Sequence, residues 1–179
     1  FVLLRFHHLI LDLVSMEVFY RELALHLVGK SAELPAPVPY RESIAHTLHQ
    51  NGCGNAEGYF RSILGDIDEP TAPFGLINVN GDGTHIDSAR RALDAVLTQR
   101  LRAAARKQGV SAAVMFHAAW ALVVAHTSRR DDVVFGSVFL GRLQVGAGAQ
   151  KTLGMFINTL PLRLPLSEVS ALGLIERTQ

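Results

Sequence analysis

Phe1-Val2-Leu3-Leu4-Arg5-Phe6-His7-His8-Leu9-Ile10-Leu11-Asp12 runs from an apolar, β-prone stretch into two adjacent histidines, with an aspartate four residues beyond the second. Residues 1–6 are expected to form a buried strand, and a strand end is a good place from which to project a histidine into a cleft. Histidine is the side chain that takes or gives a proton near neutral pH. An aspartate at this spacing steadies the turn that carries the histidine, and it can pair with an arginine to hold the loop's shape. Eight histidines in 179 residues, with as many aspartates, give about 0.4 chance matches to His-x-x-x-Asp; requiring the second His lowers that to roughly 0.02. A purely structural pair, with one histidine buried and hydrogen-bonded, stays open at this point. The opening shows no cationic leader and no small-residue cleavage site, so it reads as a chain entered in mid-strand and not as a targeting segment.

Downstream, Ser15 is expected to cap a helix over Met16 to Val28, closed by Gly29, with Met16, Phe19, Tyr20, Leu23 and Leu27 as its apolar stripe. Ser31 to Pro39, with three prolines, reads as an extended connector. Tyr40 to Gln50 looks helical, residues 51–55 break it, and Ala56 to Leu64 forms a short helix. Pro70 to Asp87 is read as a loop or lobe boundary. A strand is expected at Ala89 to Leu93, then a helix over Thr98 to Gln108 with a basic outer face, ended by Gly109. Ser111 caps Ala112 to Thr127, Val133 to Leu140 is a strand, and Gly141 to Gly148 a flexible loop. Ile157 to Leu164 is a strand interrupted at Pro161, and Ser167 to Thr178 begins a last helix. Interspersed strands and helices favour an α/β or α+β fold.

Composition bounds the function. A chain of 179 residues with 49% hydrophobic and 18% charged residues is globular, not disordered. A net charge of +1 gives no reason to expect nucleic acid or an anionic membrane as partner. The lone cysteine, Cys53, excludes an internal disulfide and a cysteine zinc site, so a cytoplasmic setting is expected. Gln108 to Ser128 lacks formal charges over a length that would span a bilayer, but its alanines, two histidines and hydroxyl residues favour a buried core helix over a membrane span.

A second motif follows about 150 residues after the first: Gly154-Met155-Phe156-Ile157-Asn158-Thr159-Leu160-Pro161-Leu162-Arg163. Alone it reads as a turn feeding an edge strand. Taken with His7-His8-x-x-x-Asp12, it resembles the condensation domain of nonribosomal peptide synthetases. Tyr40-Arg41-Glu42-Ser43-Ile44-Ala45 is similar to that family's tyrosine-led helix, and Tyr59-Phe60 through Phe74 to the segment entering its second lobe. Asp132 to Arg142 is similar to its strand ending in Gly-Arg.

The resemblance implies a two-lobed α/β (α+β) sandwich of the chloramphenicol acetyltransferase type, incomplete in this chain. Residues 1–80 would be the end of the N-terminal lobe with the His motif and connector, and 81–179 part of the C-terminal lobe. It further implies an amide-forming acyltransfer: an acceptor amine attacks a donor thioester, each tethered to phosphopantetheine on a carrier domain. Partners implied are the carrier domains and the adenylation domain of the same synthetase, with no cofactor or metal bound by the domain itself. His8 is the residue carried over as catalytic, by removing a proton from the amine or by holding it and stabilising the tetrahedral intermediate. His7, Asp12, Arg142 and Asn158 are carried over as supporting residues, with Asp12 paired to Arg142; Ser15 matches a polar position of the family and equally a helix cap. Leu13 departs from the family's glycine. Two other readings are weighed: an acyl-coenzyme A-dependent acyltransferase with the same His-x-x-x-Asp element, against which the second motif argues, and a non-catalytic carrier-docking module, which only Leu13 supports. Heterocyclisation is disfavoured because that subtype resembles an Asp-x-x-x-x-Asp element here; epimerisation fits the second motif less well than condensation.

Overall fold

Asp12 begins the first helix. Its Oδ1 accepts from the Ser15 amide at 2.8 Å, and α1 runs over Leu13–Leu27. The cap therefore sits three residues before the expected Ser15, whose hydroxyl is turned to a partner distant in sequence. At the other end Gly29 takes φ +73°, the left-handed conformation that a helix stop favours and that glycine adopts without strain. Of the expected apolar stripe, Met16 is buried and Phe19 half-buried, whereas Tyr20, Leu23 and Leu27 are exposed.

The computed structural model describes residues 3–52, 54–77, 84, 87–144 and 148–179. These form two compact units: Phe1–Ile63 with Gly136–Leu160, and Leu64–Phe135 with Pro161–Gln179. The first holds α1, α2 (Tyr40–Gly52) and all but the end of α3 (Ala56–Leu64); a 3-10 turn at Ser31–Glu33 sits in the proline-rich connector. The second holds α4 (Ala95–Lys107), α5 (Ala112–Ser128) and α6 (Ala171–Thr178). Two strands, β1 (Asp132–Leu140) and β2 (Ile157–Pro165), pair in a two-stranded sheet. The Leu166 amide donates to the Asp131 carbonyl and the Gly141 amide to that of Phe156, a constant-sum register that makes the pairing antiparallel.

In the second unit the core is a stripe of α5 spaced three residues apart, Ala118, Ala121 and Val124, closed by Val133, Leu164 and Leu174. Ser111, Asp94 and Ser170 cap α5, α4 and α6, each accepting a backbone amide three residues on.

Residues 3–6 form no strand and are exposed: they pair with neither β1 nor β2, the two strands of the sheet among the described residues, and without such pairing an apolar segment gains no strand structure; Phe1 and Val2 lie outside the described residues. Ala89 to Leu93 is likewise irregular and exposed. β2 continues through Pro161, which a two-stranded sheet tolerates because each strand keeps one unpaired edge. The last helix starts at Ala171, after a turn in which Glu168 has φ +53°. The helix after Ser111 is buried along one stripe only, with Phe116, Trp120, Leu122 and Val123 exposed. α2 runs on to Gly52, and Cys53 is outside the described residues, as are 78–83, 85–86 and 145–147 within the expected loops. The expected loop after β1 opens with a 3-10 turn at Gly141–Gln144. Among the described residues no single helix is long and apolar enough to cross a membrane.

Candidate functional site

All five site residues expected from the sequence fall in the first unit. His7 and His8 lie on a turn, where the Ile10 amide donates to the His7 carbonyl at 3.0 Å. Both side chains are exposed, yet their rings are held differently. The Leu9 amide donates to Nδ1 of His7 at 3.0 Å, so that nitrogen carries a lone pair and the neutral ring keeps its proton on Nε2. Nδ1 of His8 lies 3.2 Å from the Leu11 carbonyl, which only accepts, so Nδ1 carries a proton and, in the neutral ring, Nε2 keeps the lone pair. The neighbouring imidazoles are thus opposite tautomers. Phe6 sets its ring edge against His8, with centroids 5.8 Å apart.

Beneath this turn lies a buried polar network. Arg142 directs all five of its N–H bonds to protein acceptors. Nε reaches Asp12 Oδ2 at 3.2 Å, and Nη2 reaches Asp12 Oδ1 at 2.6 Å and the Ser15 hydroxyl at 2.7 Å. Nη1 reaches the carbonyl of Thr152 at 2.8 Å and that of Ala149. The guanidinium also lies over the Phe156 ring, 4.0 Å from its centroid. Asp12 completes its four acceptor positions with the amides of Ser15 at 2.8 Å and Phe156 at 3.3 Å. Burial by itself raises the Asp12 pKa; hydrogen bonds from Arg142 and Ser15, with the Arg142 charge, outweigh it and hold the carboxyl below its ordinary value. No buried side-chain N or O among the described residues lacks a partner, the condition under which such a network stabilises.

Ser15 carries more than a sequence reading assigns to it. Its hydroxyl donates to the Gly154 carbonyl at 2.7 Å and accepts from the Gly154 amide at 2.9 Å and from Arg142. One donor and two lone pairs are all used. Tyr40, marked in the sequence only by family resemblance, donates to the Met155 carbonyl at 2.5 Å and packs edge-on against Phe156 at 5.2 Å. A cap-like serine in Asp-x-x-Ser is the available signal for the first, but no local pattern reveals the second. Asn158 is exposed on β2, its side-chain oxygen accepting from the Thr159 amide at 2.9 Å. The structure therefore joins Asp12 and Arg142 directly, whereas His7, His8 and Asn158 bond to their own local backbone. Leu13 occupies the first helical position with its side chain exposed, and no positive φ is needed there.

The second unit has a charged cavity of its own, but its cations are engaged: Arg163 on Asp66 and Asp132, Arg130 on Glu69. It is a structural ion-pair cluster.

A family model for the condensation domain matches residues 1–179. The chain belongs to the condensation domain family. It is 40% identical over 172 residues to malpinin synthetase of Mortierella alpina, covering 96% of this chain and 2% of that protein. With gramicidin S synthase 2 of Brevibacillus brevis it shares 31% identity over 164 residues, 89% of this chain and 4% of the other. The first condensation domain of the CDA synthetase superposes with a TM-score of 0.71 at 27% identity, over 96% of this chain and 40% of that one. The condensation domain thus has the α/β fold of the chloramphenicol acetyltransferase type expected from the sequence, and this chain spans a small fraction of the synthetases it matches.

Proposed function

We propose that this chain is the histidine-bearing part of a condensation domain that forms an amide between two carrier-bound substrates. The acceptor's amine nitrogen attacks the carbonyl carbon of the donor thioester, the tetrahedral intermediate collapses, and the carbon–sulfur bond breaks to release a thiol. The observation that carries this reading is the contact of His8 Nδ1 with the Leu11 carbonyl, which sets the tautomer of the neutral ring. With Nδ1–H spent on the Leu11 carbonyl, the neutral ring of this exposed residue keeps its lone pair on Nε2, which accepts a proton or a hydrogen bond from the attacking amine. A proton taken at Nε2 is the one the departing thiolate needs. Because a thioester is activated and an amine nucleophilic, positioning supplies much of the rate.

In this reading His7, with the opposite tautomer, shapes the turn. Asp12 and Arg142 hold the turn and α1 against the segment before β2, and Asn158 lies at the start of that strand as a further supporting group. Residues 1–80 end the N-terminal lobe and 81–179 belong to the C-terminal lobe of the complete domain. Carrier and adenylation domains of the same synthetase supply the substrates on phosphopantetheine arms, in the cytoplasm, with no cofactor resident in this domain.

Leu13 is the feature that favours a second reading, a domain that docks carriers without reacting them. Its helical backbone removes the conformational need for glycine, so what remains is the room its side chain takes. One assay separates the two. The complete domain from its parent synthetase is supplied with loaded donor and acceptor carriers, and wild type is compared with His8→Ala. Dipeptide from wild type and loss of roughly two orders of magnitude or more in the variant support catalysis by His8. Wild type that binds both carriers without forming dipeptide is a docking module, and a variant that turns over like wild type removes His8 from the chemistry.

A further inference from the structure

We propose that Tyr40 is a positioning residue for the reaction, acting through the backbone of Gly154, Met155 and Phe156. This three-residue strip is gripped on two sides. Ser15 brackets Gly154 with one bond to its carbonyl and one from its amide, and Asp12 takes the Phe156 amide. Tyr40, at the first position of α2, donates its hydroxyl to the intervening Met155 carbonyl and packs edge-on against Phe156.

The fit is close. A Cβ added at Gly154 would run into Cδ2 of the Tyr40 ring, so glycine is what lets the ring reach the strip. Phe156 in turn meets both Tyr40, edge-on, and the Arg142 guanidinium, 4.0 Å from its centroid.

What the strip connects makes the grip functional. Two residues past Phe156 is Asn158 on β2, and through Asp12 the strip is bonded to the residue that caps α1 and ends the His8 turn. A shift of the Met155 carbonyl is therefore passed to the turn that carries His8 and to the supporting Asn158. Asp12, Ser15 and Arg142 fix the strip from within the charged network; Tyr40 adds a neutral contact from a different helix. This inference rests on the amide-forming reading for its kinetic consequence, but not for its structural one.

The test uses the complete domain with loaded carriers and the variant Tyr40→Phe, which keeps the ring against Phe156 and removes only the hydroxyl. The expected result is a fall in kcat of about 5- to 10-fold, the scale of one lost hydrogen bond, with KM for either carrier within about twofold. Tyr40→Ala is expected to lose more. In parallel, the ¹⁵N resonances of the His8 ring and the Asn158 side chain are compared between wild type and Tyr40→Phe; both are expected to move. If wild type makes no dipeptide, the functional reading fails while these resonances still decide the grip. Unmoved resonances in a folded Tyr40→Phe protein, or an unchanged kcat, overturn the assignment of Tyr40.

Discussion

Asp12 and Arg142, 130 residues apart in sequence, meet as a two-point ion pair with side chains 0% and 1% exposed. Each is bound to more than the other: the aspartate to two backbone amides, the arginine to three carbonyls and a hydroxyl. Removing one partner leaves a buried charge and several orphaned groups. Asp12→Asn and Arg142→Ala in the complete domain are each expected to lose about 3–5 kcal/mol of stability in chemical denaturation. Stability equal to wild type with lost turnover would contradict this structural role. The double variant should lose less than the sum of the singles, since the second substitution removes the charge that the first stranded.

The same pair sets the acid limit. Asp12 titrates lower folded than unfolded, where its reference value is about 3.9. Protonation is therefore more favourable in the unfolded chain, and the contribution is fully present above the unfolded value. It is lost as pH falls through the folded value. Melting curves from pH 7 to pH 2 should show stability falling below about pH 4, and Asp12→Asn should flatten that limb. An unchanged acid limb in the variant would assign it to other carboxylates.

How much of this is legible in the sequence varies with the range of the interaction. Ser111 capping α5 and Gly109 ending the turn after α4 are local, and both can be read directly. So can α3, whose apolar spacing lies within nine residues. The expected opening strand does not form because residues 3–6 have strand composition but no partner strand, and pairing is a property of the neighbours. Ser15 is ambiguous for a related reason. At helix starts serine and aspartate compete for the same role, and the winner, Asp12, is decided by a guanidinium from 130 residues away. The Asp12–Arg142 pair can be anticipated only through family resemblance, since neither spacing nor periodicity links two such distant positions.

Gly141 and Gly154 are held to glycine by space and not by unusual torsions. A Cβ at Gly141 would lie 2.9 Å from the Phe156 carbonyl oxygen, a backbone atom tied to the Gly141 amide at 2.8 Å. At Gly154 the obstacle is the Tyr40 ring, which its hydroxyl bond anchors. Gly141→Ala and Gly154→Ala should each cost about 1–3 kcal/mol, the usual scale of overpacking. Tyr40→Ala opens room at the second site, so combining it with Gly154→Ala should recover part of that loss. Additive losses would show that the ring is not the obstacle.

The ion pairs of the second unit should behave differently from Asp12 and Arg142. Asp66 takes its lowered pKa from a hydrogen bond with Arg163, but its side chain is 68% exposed. Water and salt screen such a charge, and Arg163 retains Asp132 when Asp66 is neutralised. Asp66→Asn is expected to lower the melting temperature slightly, far less than Asp12→Asn, with the difference shrinking as salt is raised. A loss as large as that of Asp12→Asn, insensitive to salt, would mean that the exposed pair carries unexpected weight.

The outer stripe of α5 leads to a prediction about the chain by itself. Phe116, Trp120 and Val123 stand four and three residues apart on one face and are 50%, 52% and 49% exposed, opposite in role to the buried alanines of the same helix. Three large apolar side chains in a row form the kind of contiguous patch that isolated proteins rarely leave to water. The chain also covers only 40% of the solved condensation domain from the CDA synthetase, so a complete domain has further residues with which to cover such a face. The 179-residue chain expressed alone should bind a hydrophobic dye such as ANS and self-associate in sedimentation. Trp120→Lys should reduce both effects without disturbing the buried stripe. A monomeric chain that ignores the dye and unfolds in one cooperative step would show that the exposed stripe is harmless, and that these residues stand as a domain without further cover.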